Sequence, residues 1–163
     1  MTEQTKIKLW LYVFIAGLLI SGITAFPLEW ELNILNQTIG PGTNFGNHFL
    51  GVSEWVNKVH LGIVETNHKF PFIAYGTDWL AFAHIILAIL FIGPLKDPVK
   101  NIWVIEFGII ACVLVIPLAM ICGEIRGIPV FWRLIDCSFG VLGIIPLLII
   151  RKKIKVYETK KAI

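Results

Sequence analysis

Asp78 and His84 stand six residues apart in Tyr75-Gly-Thr-Asp-Trp-Leu-Ala-Phe-Ala-His84, which runs on as the unbroken apolar stretch Ile85–Ile92. A carboxylate and an imidazole so placed are costly, since an ionisable side chain in hydrocarbon costs roughly 2.5–3.5 kcal/mol or more. Such groups face protein rather than lipid, and a carboxylate beside an imidazole suits proton transfer near neutral pH. Further along the chain, Arg126, Arg133 and Asp136 add two guanidinium groups and another acid. The set predicts acid–base chemistry on a lipid or other lipophilic substrate. Asp78 or His84 would act as general base, Arg126 or Arg133 would hold an anionic group, and Asp136 would complete the polar layer. Glu29 and Glu124 at the rim, with Trp79 and Trp132, are the predicted substrate contacts.

A metal or haem site is the second chemistry these residue types permit. Its donors would be His60, Glu65 and His68, with His84 and Met120 in reserve. Glu65-Thr-Asn-His68 has the Glu-x-x-His spacing of carboxylate-bridged metal helices, but such sites normally need a second copy of the motif and the chain has one. Bis-histidine haem needs two imidazoles at matched depth, and only His84 falls within a predicted span. No cofactor is named by the sequence. The third reading is a structural or assembly subunit, in which Asp78, Arg133 and Asp136 form a buried ion-pair network that fixes helix packing. Arg133 and Asp136, three apart on a helix, are close enough to pair.

The elements that must position these groups follow from composition. With 163 residues and 56% hydrophobic content, at a mean hydropathy of +0.78, the chain reads as one all-α, polytopic membrane domain over residues 1–163. Four spans are predicted, at about 7–26, 75–95, 102–123 and 128–150, each near the ~20 residues that cross a ~30 Å hydrocarbon core. They would form a four-helix transmembrane bundle. Residues 28–73 are predicted as an outer loop carrying one amphipathic helix, whose apolar positions 52, 55, 56, 59 and 63 recur at spacings of three and four. A basic cytoplasmic tail, 151–163, closes the chain. Small residues, Gly17, Ser21 and Gly22 in the first span and Gly140 and Gly143 in the fourth, would permit close helix approach.

With these spans, Lys6, Lys8, Lys96, Lys100, Arg151, Lys152, Lys153, Lys155, Lys160 and Lys161 share one side. Lys58, Lys69, Arg126 and Arg133 share the other. The positive-inside rule then places both termini in the cytoplasm of an inner, plasma-type membrane. All four histidines, with Glu29, Glu31, Glu54, Glu65, Asp78, Glu124 and Asp136, belong to the outer half. The basic inner face reads as an anchor for anionic lipid and not as a nucleic-acid surface. The expected partners are therefore membrane lipids, a lipophilic small molecule, and a second copy or a larger membrane complex. On the wheel Asp78 and His84 diverge by about 120°, while Thr77, Ala81, His84 and Ala88 form a stripe of small and polar residues that would meet protein. The sequence contains no glycine-rich phosphate loop, Cys-x-x-Cys, nucleophile elbow or HExxH motif. A channel is disfavoured because the inner half of the spans offers only Glu106 as an ionisable pore residue.

Overall fold

Long apolar runs with few charges favour helices, which satisfy their own backbone polar groups within one segment, and the described chain is helical almost throughout. The computed structural model describes residues 2–161, the side chains of Lys160 and Lys161 excepted. Among the described residues there is no strand. The helices are α1 (Glu3–Thr24), α2 (Leu28–Ile39), α3 (Asn44–His48), α4 (Leu50–Lys69), α5 (Tyr75–Leu90), α6 (Ile92–Lys96), α7 (Ile102–Ile125) and α8 (Val130–Lys161), with a 3-10 turn at Pro71–Ala74.

Four segments, Glu3–Thr24, Pro71–Lys96, Ile102–Ile125 and Val130–Thr159, are long and apolar enough to cross a membrane. No more than 33% of the most apolar window of any of them is buried within the protein. Side chains such as Ile20, Leu80, Leu114 and Leu142 are more than half exposed, so these helices carry large apolar surfaces that the described residues do not cover.

The chain divides into two compact units, one holding the residues up to Leu18 and from Leu87 onward, the other Leu19–Ile86. In the first, Ile7 and Leu11 of α1, Phe91, Val104 and Ile105 near the start of α7, and Leu147, Ile150 and Ile154 of α8 make one buried cluster. Phe14 and Phe91 meet with ring centroids 4.7 Å apart. Polar partners lie beside it: Lys153 donates to Glu3 at 3.0 Å and Arg151 to Glu106 at 2.9 Å. Residues 151–161, the described part of the expected basic tail, form the last turns of α8. Ile150 and Ile154 are fully buried one helical turn apart, and Arg151 and Lys153 reach acids on other helices. The final residues of the expected tail, 162 and 163, lie outside the described residues. Both groups of the Glu106–Arg151 pair are about two-fifths exposed, so Glu106→Gln should lower the unfolding midpoint only slightly, by under about 1 kcal/mol in stability terms, as measured by thermal unfolding in mild detergent.

In the second unit the segment expected to be loop with a single helix contains more. α4 covers the expected helix and extends it at both ends, and α2 and the short α3 occupy 28–48. Glu29 and Glu31 sit in the first turn of α2, where negative charge suits the helix N-terminus. Gly40 closes the helix, and Gly42 takes φ +84°, a conformation that glycine adopts without strain. Thr43 caps α3 by accepting from the Gly46 amide at 2.9 Å. Leu32 of α2 and Ser53 and Val56 of α4 are buried. Gly22 of α1 lies against α5: a Cβ there would come within 2.9 Å of the Ala81 carbonyl oxygen and 3.1 Å of the His84 Cβ. Gly17, by contrast, faces open space.

Candidate functional site

The predicted site residues divide between the units. Asp78, His84, Glu29, Trp79, His60, Glu65 and His68 belong to Leu19–Ile86, and Glu124, Arg126, Trp132, Arg133 and Asp136 to the other.

Within Leu19–Ile86, α1 ends at Thr24 and the chain turns through Phe26 and Pro27 into α2. α4 packs along α2, and the 3-10 turn at Pro71 leads into α5. Between these pieces lies a cleft of about 710 Å³. Its walls are largely apolar, with Phe26, Trp30, Ile63 and Ile73 among them, and its polar groups are Glu29, Asn33, His60, Thr66, Asn67, Thr77 and Asp78. The seam between α2 and α4 sets several of these groups. The Asn36 amide nitrogen lies 3.3 Å from the Asn57 side-chain oxygen, to which it donates, and 3.4 Å from His60 Nδ1. Asn67 donates to Glu29 at 2.7 Å. Thr77 turns its hydroxyl back to the Ala74 carbonyl at 2.6 Å. Asp78 is half-buried and makes no hydrogen bond or ion pair among the described residues.

The other residues of this unit have different surroundings. His84 donates from Nδ1 to the Leu80 carbonyl one turn earlier, at 2.8 Å, and is not among the residues lining the cleft. Its Nδ1 proton is thus taken up within its own helix. Trp79 is 57% exposed and joins Tyr75 and Phe82 in an edge-to-face run on α5, also outside the cleft. His60, Glu65 and His68 do not gather as the expected donor set, and no three His, Cys, Asp or Glu side chains among the described residues are placed to share a metal ion. The helix accounts for this: His60 and Glu65 are about 140° apart at ~100° per residue. His60 faces Asn36, whereas Glu65 is exposed and paired with Lys69 at 2.6 Å.

In the other unit Arg133 is buried. It donates from Nε to the Ile128 carbonyl at 2.8 Å, from a terminal nitrogen to the Met120 carbonyl at 3.5 Å, and pairs with Glu124. The expected Arg133–Asp136 pair is therefore replaced by one to α7. Arg133 lies in the first turn of α8, where the helix dipole disfavours a cation, and its guanidinium reaches instead the carbonyl-rich end of α7. Asp136 is half-buried on α8, Arg126 follows α7 as its exposed cap, and Trp132 meets Phe131 edge to face. All three cysteines, 112, 122 and 137, are free thiols.

Sequence reasoning overlooked Asn33, Asn36 and Asn67. The signal available was the spacing of Asn33 and Asn36 on one helix and of Asn57 and His60 on another, each pair three residues apart.

Compared with protein-family models, with curated proteins and with solved structures, the chain finds no match.

Proposed function

We propose that the chain is a polytopic membrane protein, a four-helix transmembrane bundle with both termini in the cytoplasm, that binds a lipophilic molecule in the cleft lined by α2, α4 and the start of α5. The observation that carries this reading is the cleft itself: about 710 Å³, mostly apolar, with Glu29, His60 and Asp78 on its wall. Pockets that bury small molecules typically combine an apolar lining with a few polar groups that fix orientation. Its place in the chain supports the same reading. It is built where α1 ends and α5 begins, and these ends must share a membrane face if both helices cross. A lipophile could reach it from the hydrocarbon edge. The exposed apolar side chains Trp30, Phe49, Leu61 and Phe72 suit helices α2 and α4 lying along that interface as amphipathic elements. The segregation of Lys and Arg supports placing this face away from the cytoplasm.

An acid–base enzyme is the second reading, and the observation favouring it is that the unpartnered Asp78 carboxylate and the His60 ring line one cleft. In that case the proton-transfer roles assigned to Asp78 and His84 pass to Asp78 and His60.

The binding reading is tested by native mass spectrometry of protein released gently from its membrane. An organic mass should remain on the wild-type chain and be lost from Ala74→Trp, which fills the cleft. Equal retention by both, or no retention by either, would leave a helical scaffold whose polar groups serve packing. For topology, single cysteines at Gln37 and Lys155 in a background lacking Cys112, Cys122 and Cys137 should react differently with an impermeant maleimide. Gln37 should label in intact cells and Lys155 only after lysis; the reverse pattern overturns the assignment.

A further inference from the structure

We infer that the cleft selects an amphiphile with a cationic head, a protonated amine or quaternary ammonium carried on an apolar body. This rests on the reading of the cleft as a lipophile site and adds the charge of the ligand. Three lining residues can ionise, Glu29, His60 and Asp78, and none of the lining residues is Lys or Arg. The surrounding unit, Leu19–Ile86, holds five acids and two lysines. Both lysines are occupied elsewhere: Lys69 pairs with Glu65 at 2.6 Å, and Lys58 lies over the Trp55 ring at 5.8 Å.

The carboxylates are thus left uncompensated. Glu29 accepts from the Asn67 amide, a neutral donor that orients the group without neutralising it. Asp78 has no hydrogen bond or ion pair among the described residues. The remaining ionisable group, His60, sits at the seam of α2 and α4 with Nδ1 3.4 Å from the Asn36 amide nitrogen. An opposite charge would complement these two carboxylates, and an anionic head would meet repulsion from both of them. Trp30 adds an aromatic surface in the same lining, which attracts a cation through its ring face. The cleft is therefore complementary to positive charge at its polar groups and to hydrocarbon elsewhere.

The test uses the full chain in zwitterionic nanodiscs and three photoreactive hexadecyl probes with trimethylammonium, hydroxyl or phosphate heads. Crosslinks are mapped to the cleft peptides by mass spectrometry. The ammonium probe should label the cleft about tenfold more than either of the others, as expected for loss of a charge-assisted contact. In the double variant Glu29→Gln/Asp78→Asn its labelling should fall to that of the hydroxyl probe, whose own unchanged labelling shows that the variant retains its fold. Equal labelling of the wild type by the ammonium and hydroxyl probes, or preference for phosphate, overturns the cationic head and leaves the lipophile cleft standing. Cleft labelling by every probe no greater than in Ala74→Trp overturns both.

Discussion

Gly140→Val will destabilise the protein by roughly 2–3 kcal/mol, among the largest effects of any single apolar substitution outside the buried cluster. A Cβ at 140 would stand 2.4 Å from the Cys112 carbonyl oxygen and 2.5 Å from Val115 Cγ1, so even if Val115 turned away α7's backbone would still obstruct it. Relief requires α8 to move from α7, and the contacts on either side move with it: Gly108 meets both Leu147 and Phe91 where a Cβ would stand at 2.9 Å from each. Alanine at 140 already places the offending carbon, and valine adds branches that cannot rotate clear within a helix. The control is Gly17→Ala. Gly17 has nothing within 4 Å, so the substitution should be neutral or stabilising by up to about 1 kcal/mol through helix propensity alone. Thermal unfolding in mild detergent, followed by circular dichroism, separates the two. A Gly140→Val midpoint equal to that of Gly17→Ala would show that α7 and α8 do not approach this closely.

The contrast between these two glycines marks how far sequence could go. Both lie in apolar runs among other small residues, and the pattern alone assigns both to close packing. Only the rotation of each helix about its axis decides which one meets a neighbour, and that depends on long-range contacts. The long apolar helices themselves were legible because one property, uninterrupted hydropathy over about 20 residues, determines them. α2 was missed although its signals are present. Pro27 precedes it, Glu29 and Glu31 fill its first turn, Leu28, Leu32, Leu35 and Ile39 recur at spacings of four, three and four, and Gly40 ends it. Its two acids and three amides lower its mean hydropathy, so beside membrane spans it reads as loop. The cleft was legible by the same measure, in part. Asp78 and Glu29 stand out as charges at the ends of apolar segments, whereas Asn36 and Asn67 are neutral, incur no obvious cost, and acquire their roles only when α2 meets α4.

Arg133→Met is expected to cost about 2–4 kcal/mol, the second large effect, and the comparison with its partner explains why. Glu124 is 72% exposed, while the Arg133 side chain is only 10% exposed. Removing the acid returns little to a buried environment, because water already solvates most of it, and Glu124→Gln should change stability by under about 1 kcal/mol. Removing the guanidinium leaves the Ile128 and Met120 carbonyls without the donor that bridges them, at the turn where α7 passes into α8. Methionine keeps an apolar stem of similar reach, which isolates the polar contribution from the packing one. Lysine should not rescue: its single nitrogen cannot present two donors in the fixed directions of the planar guanidinium. Gly123 supplies an independent check. The Arg133 stem crosses it so closely that a Cβ would lie 2.5 Å from Cδ and 2.7 Å from Cγ. Gly123→Ala should therefore displace the same side chain and reproduce part of the loss, and in the double variant with Arg133→Met the two effects should fall well short of additive. Full additivity, or an Arg133→Met cost no larger than that of Glu124→Gln, would mean that Arg133 does not clamp the end of α7.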